Sequence, residues 1–307
     1  MKNKFLCAFF LILLLGCSQG TDTKPLDNAT SGEVTISVDE SFFPLADAEI
    51  KVFQSIYKRA HVNVNYKPEA EVIQDLLEDS VRIVIAARQL NQDETSVLEK
   101  ATIIPQTTKI AIDAVAIISN KENLKDTLSI SQLTQILQGK INKWKELDEN
   151  SSLGDIQVVF DNKNSSIARY IKEKFLGNQN FQDNTFALHS TPEIIEHVKK
   201  NPSALGIMGV SWISDKADTL SNSFLKDITV VALTDSIGND AYEPYQAYIA
   251  QKKYPLCRDI FIISREARAG LGTGFAAFVA GDKGQRIVLK SGLVPATMPV
   301  RIVGFRE

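Results

Sequence analysis

The chain is poor in the residues that most often carry chemistry. Its 307 residues include three cysteines, three histidines, three methionines and two tryptophans. Cys7, Cys17 and Cys257 are too few and too far apart for a disulfide framework or a C-x-x-C motif. His61, His189 and His197 lack the spacing of a zinc site, and neither a G-x-S-x-G elbow nor a Walker sequence is present. A basic excess is also missing: 34 Lys and Arg stand against 37 Asp and Glu, a formal charge of −3. That excludes a nucleic-acid footprint, and any anion site must be local because the overall field repels anions. These absences lead us to expect no enzyme activity, no cofactor and no metal.

What is present begins at the N-terminus. "MKNK" is a basic n-region, and "FLCAFFLILLL" is apolar but short for a membrane span. "LLGC" follows, the arrangement of a bacterial lipoprotein signal, so residues 1–16 read as a signal peptide and Cys17 as the lipidated residue. Residues 17–32, "CSQGTDTKPLDNATSG", are polar and aperiodic, a flexible tether. Lys2 and Lys4 would leave with the leader, giving 32 basic against 37 acidic residues, or −5. The expected location is periplasmic or cell-surface, anchored through lipid without spanning the membrane. Cys257 reads as a small buried apolar residue.

From Glu33 the pattern alternates strand and helix. "EVTISV", "HVNVNY" and "VRIVIAA" read as strands, separated by helical stripes at 44–60 and 70–80. Alternation of this kind implies a parallel sheet with crossover helices, and ligands then sit beyond the carboxyl ends of the strands. The loops at those ends are "DESFF" and "ARQL". The long apolar run "KIAIDAVAIIS", with Asp113 inside it, reads as a strand passing from one lobe to another. A second α/β unit follows: helix "ISQLTQILQ", strand "IQVVF", helix 166–176, helix "PEIIEHVKK" and strand "ALGIMGV". Residues 274–292 read as one last long helix, and the glycine-rich "AGLGTGFAAF" as the turn into it.

Between strand "IQVVF" and the helix at 166 the chain places six small polar residues, "DNKNSS". Ser41, Arg88, Asn164, Ser165 and Ser166 can converge as neutral donors and one guanidinium around an anion. Each stretch alone reads first as an ordinary helix cap or solvated loop.

The order of these pieces resembles the PstS-like phosphate-binding proteins, the extracytoplasmic receptors of phosphate ABC importers. "GKINKW" resembles the family's G-K-I-x-x-W, through Gly139, Lys140, Ile141 and Trp144. "ALGIMGV" is similar to its G-x-I-G-Y strand, "YPLCRDIFII" to its Y-P-x-x-R return through Tyr254, Pro255 and Arg258, and "GLVP" to its close. The resemblance implies an α/β, two-lobe periplasmic binding protein-like fold of type II, each lobe a mostly parallel sheet flanked by helices, joined by two crossing strands. Lobe I would comprise 33–108 with 250–307, and lobe II 109–249. The implied ligand loops are Glu40, Ser41 and Phe42; Ala87 to Leu90 with Arg88; and Asn164, Ser165 and Ser166.

Three positions depart from the family pattern. Phe160 stands where an arginine is common, which would leave Arg88 as the sole positive group. Ser165 replaces a glycine, and "KPEAE" brings Glu69 near the site. Glu40 and Glu69 are then the candidate acceptors for a proton carried by phosphate. The implied partners are inorganic phosphate or a similar small anion and an ABC permease, with the protein a monomer. The alternatives are a receptor for sulfate, molybdate or an organic phosphate, or a sensor or interaction lipoprotein on the same fold.

Overall fold

The computed structural model describes residues 27–300 apart from 178 and 237. The expected signal peptide, Cys17 and most of the expected tether lie outside these residues. Strand β1 (Ser31–Asp39) buries Val34, Ile36 and Val38 on alternating positions, as the period of a strand requires. A 3-10 turn at Glu40–Phe42 leads into helix α1 (Phe43–Ile56), with Pro44 in its first turn. Helix α1 buries Leu45, Ala46, Glu49, Ile50 and Phe53. It ends four residues before the apolar stripe suggests, because Arg59–Lys67 forms strand β2 along β1.

Helix α2 (Glu69–Leu77), strand β3 (Ile83–Ala86), helix α3 (Gln92–Lys100) and strand β4 (Gln106–Asn120) complete the first part. Helix α3 has no apolar stripe and buries Leu98 alone, so periodicity gives no sign of it. A reciprocal capping box between Asn91 and Glu94 holds its start.

The second part contains β5 (Thr127–Ser129), α4 (Ile130–Leu137), β6 (Gln157–Phe160) and α5 (Ser166–Ile171). Helix α5 continues as a π-helical turn to Leu176 and stops at Gly177, which is left-handed at φ 54°. Then come β7 (Thr185–Ala187), α6 (Thr191–Lys200), β8 (Ala204–Gly209), α7 (Thr219–Leu225), β9 (Ile228–Val230) and β10 (Ala232–Thr234). Trp144 of the "GKINKW" stretch is buried and donates through Nε1 to the Ser203 carbonyl at 2.9 Å, tying this turn to the start of β8.

The chain returns through α8 (Gln246–Ala250) to β11 (Cys257–Ser264), then α9 (Leu271–Ala280), α10 (Asp282–Lys290) and β12 (Val294–Pro295). The single last helix read from the sequence is thus two helices. The break is Gly281, whose ψ of 175° leaves the helical region.

The main sheet runs β2–β1–β3–β11–β4–β8–β6–β7, with β9 and β12 also paired to β4. Strands β1, β2 and β3 pair in parallel, as do β6, β7 and β8. Strand β4 joins the two halves: its first part lies antiparallel to β11, and Val115–Ser119 lies antiparallel to β8. Where β4 changes neighbours, buried Tyr254 donates its hydroxyl proton to the Val115 carbonyl at 2.8 Å. That bond fixes the turn from which β11 starts.

The folded body begins earlier than Glu33. Asp27 pairs with Arg82 at 2.9 Å and with Arg268, and it accepts the Leu271 N–H at 2.8 Å. Residues 27–30 pack so closely on α9 that a Cβ on Gly274 would lie 1.9 Å from the Ala29 carbonyl oxygen. Glycine in that stretch therefore serves chain packing, as a turn-and-helix reading requires. Among the described residues, no helix is long and apolar enough to cross a membrane.

Candidate functional site

The carboxyl ends of β1 and β6 meet beside β4 and β11. Asp39 closes β1, and its carboxylate accepts the Ser41 N–H at 3.0 Å, which turns the chain sharply and points Ser41 back into the protein. At the end of β6, Ser165 caps α5: its Oγ accepts the Ala168 N–H at 3.1 Å and donates to Asp161. The six polar residues thus build a cap whose next residue, Ser166, faces inward. The Oγ atoms of Ser41 and Ser166 are 3.3 Å apart, and both residues are fully buried.

Arg258 joins these two hydroxyls. Its Nη1 donates to Ser166 Oγ at 2.7 Å, its Nη2 to Ser41 Oγ at 3.0 Å, and its Nε to Asp113 Oδ2 at 2.8 Å. The register of β4 and β11 places Arg258 opposite Asp113, so the pair follows from strand pairing. The guanidinium stacks over the Phe42 ring at 4.7 Å. Ser211 donates to the Ser41 carbonyl at 2.7 Å, and a Cβ on Gly209 would lie 3.0 Å from Arg258 Nη2. Glycine is needed there to let the guanidinium lie against the backbone.

Charge in this cluster is unbalanced. Burial opposes the charge on Arg258, but Asp113 and Asp39 outweigh it and keep the guanidinium protonated. Burial, helped by the neighbouring Glu69 charge, pushes the Asp39 carboxyl up to about 6. Burial likewise pushes Asp161 up to about 7. Glu40, half-buried beside them, also shifts upward, first through burial and then through Asp39. Among the described residues, the buried Asp39 Oδ2 meets no hydrogen-bond donor within bonding geometry. The cluster can therefore take up protons near neutral pH, and it offers hydroxyls and a guanidinium fork to an oxyanion.

The remaining expected residues lie together at a recess of 250 Å³ beside this cluster. Glu69, Arg88, Asn164 and Ser165 line it, together with Lys163, Arg169 and Lys172. Glu69 accepts from Arg169 Nε at 2.6 Å and from the Ala87 N–H at 2.9 Å. The Ala70 N–H donates to the Asn164 carbonyl at 3.2 Å, a main-chain bond between the two parts of the chain.

Arg88 does not hold the sole positive role expected of it. Its fork is engaged by Glu94 at 2.7 and 2.8 Å, with Glu69 3.7 Å from Nε. The reason is helix α3, whose capping carboxylate faces Arg88. Arg258 supplies the charge at the two serines. Glu69 is hydrogen-bonded by Arg169 and by the Ala87 N–H. Phe160 is buried against Phe181, with ring centroids 4.6 Å apart. Asp39, Asp113, Asp161, Arg169 and Ser211 escaped the sequence reading as site residues. Two signals were available: a charged residue inside the apolar run 109–119, and the arginine of the Tyr254–Arg258 motif, each requiring a partner when buried. The Cys257 thiol donates to the Tyr254 carbonyl at 3.2 Å, and burial raises it to about 11, so it is no thiolate nucleophile. Among the described residues, no group of three or more His, Cys, Asp or Glu could hold a metal ion.

Comparison with known proteins agrees with this architecture. Residues 23–283 match the family model described as the PBP superfamily domain. The phosphate-binding protein PstS of Borreliella burgdorferi is 24% identical over 306 residues, covering 96% of this chain and 99% of the relative. PstS of Staphylococcus epidermidis is 26% identical over 284 residues, covering 89% and 82%. A candidate phosphate ABC transporter substrate-binding protein from Clostridium perfringens, solved with bound phosphate, superposes with a TM-score of 0.73 at 23% identity, over 87% of this chain and 100% of its own. The resemblance to PstS-like proteins is borne out, and the chain belongs to the PBP superfamily domain family.

Proposed function

We propose that this protein is an extracytoplasmic solute-binding lipoprotein that captures inorganic phosphate between its two lobes and delivers it to an ABC importer. The observation that carries the reading is the convergence of Ser41 and Ser166, from opposite halves, on the buried Arg258 fork. Relatives named as phosphate-binding proteins, matched over 96% and 89% of this chain, support the choice of ligand.

Binding is non-covalent and has no catalytic step. Opening the cleft would separate Ser41 from Ser166, and an oxyanion would take hydrogen bonds from both hydroxyls and the guanidinium. Selection against sulfate follows from Asp39 and Asp161. Phosphate near neutral pH keeps a proton that it can donate to a buried carboxylate. Sulfate has none, and leaves that acceptor repelled and unpaired. Lipidation at Cys17, lobes of 33–108 with 250–307 and of 109–249, and a monomeric state complete the proposal.

The test is calorimetry on the full chain, freed of ligand by partial unfolding and refolding. One-to-one phosphate binding, silence with sulfate and loss of binding in Arg258→Lys are expected. Silence with phosphate in the refolded native protein would remove this reading.

A further inference from the structure

The recess next to the buried cluster has a charge pattern that orthophosphate capture does not use. Arg88, Lys163, Arg169 and Lys172 line its 250 Å³, and Glu69 is the one acid in the lining. Glu94 and Glu173, which pair with Arg88 and Arg169 from outside the lining, still leave cations in excess by one. This occurs on a chain whose formal charge is −3.

The four cations are not equivalent. The two arginines are held by carboxylates on rigid elements, and among the described residues neither lysine is in an ion pair. The Lys172 ammonium instead lies 5.1 Å from the Phe181 ring centroid, and Lys163 is exposed. Ser165 lines the recess, and its neighbour Ser166 accepts from Arg258. An anion in the recess would thus be one residue along the chain from the proposed orthophosphate position.

We propose that this recess is a second anion subsite and that the receptor also takes phosphate bearing a second phosphoryl group, a small condensed phosphate. One phosphoryl lies at Ser41, Ser166 and Arg258; the second lies in the recess, where Lys163 and Lys172 balance its charge. Lysine suits this role because its point charge adapts to a ligand end that must still enter and leave. This inference rests on the phosphate reading above.

The experiment titrates inorganic phosphate and inorganic diphosphate into the wild-type chain and into Lys163→Ala/Lys172→Ala. Lys163 is exposed and Lys172 half-buried, and among the described residues neither is hydrogen-bonded to Ser41, Ser166 or Arg258, so phosphate serves as the internal control of folding. The expected result is that diphosphate binds the wild type and weakens roughly tenfold in the double variant, with the loss shrinking at high salt. Phosphate affinity should stay within about twofold, the scale of a screened remote charge. Phosphate binding with diphosphate silent, or diphosphate affinity unchanged in the variant, overturns the subsite and leaves the phosphate reading standing. Silence with both ligands overturns both.

Discussion

Arg258 and Asp113 face each other across β11 and β4, with Nε 2.8 Å and Nη2 2.7 Å from the same carboxylate oxygen, and both are buried. Removing one partner of a buried ion pair strands the other charge. Asp113→Ala should therefore destabilise the protein by about 3–5 kcal/mol, read as a fall in the denaturation midpoint. Arg258→Lys keeps a charge but loses the fork that reaches Ser41 and Ser166 together. It should bind phosphate at least roughly 100-fold more weakly at smaller cost in stability. Gly209→Ala, which crowds Nη2, should lower affinity in the same direction.

The carboxyls of Asp39 and Asp161 sit near 6 and 7, above their ordinary 3.8. A carboxyl raised by folding contributes most below its unfolded value, and that contribution is lost as pH climbs to the folded value. Stability from these two groups should therefore fall between about pH 4 and 7, and Asp161→Asn should flatten that slope. Phosphate donates its proton to one of these carboxylates, and its remaining charge favours the protonated form of the other. Phosphate binding should take up protons at pH 7, seen as a binding enthalpy that depends on the buffer, and less so in Asp161→Asn.

Glu69 and Arg169 form a contact between the two halves of the chain, at 2.6 Å with Glu69 almost fully buried. Glu69→Gln keeps an acceptor for the Ala87 N–H and removes the charge. If this pair helps hold the closed form, phosphate should dissociate faster, by about three- to tenfold for a partly exposed pair. Stopped-flow dissociation is the measurement; an unchanged off-rate assigns the pair to local structure only.

Glu49 is buried on α1 with neither carboxylate oxygen hydrogen-bonded, and burial raises it to about 9. Its cost grows as pH rises from its ordinary 4.5 toward 9, because the folded state must either stay protonated or bury a bare charge. Glu49→Met should stabilise the protein by roughly 1–3 kcal/mol at pH 8 and by less at pH 5. Chemical denaturation at the two pH values compares them.

Much of this molecule could be read along the chain. Alternating Val34, Ile36 and Val38, the stripe through Ile50 and Phe53, and Trp144 in its turn each carry their own period or partner. The loops at the ends of β1 and β6 announced Ser41 and Ser166 by the same logic, since polar residues at strand ends in such sheets face the ligand crevice. Helix α3 escaped because an exposed helix without an apolar stripe leaves no periodic trace, and the ion pair of Arg88 with Glu94 went unseen because Glu94 lies in that helix.

The sequence alone determined where polar loops follow apolar strands, how helices and strands alternate, and the family pattern they make, because these depend on residues close in the chain. Which cation meets those loops was decided only by tertiary structure. Arg258 lies 217 residues from Ser41 and 92 from Ser166, and it reaches both because the register of β11 on β4 sets it opposite Asp113. Register comes from the packing of the whole sheet, and no local pattern around Arg258 contains it.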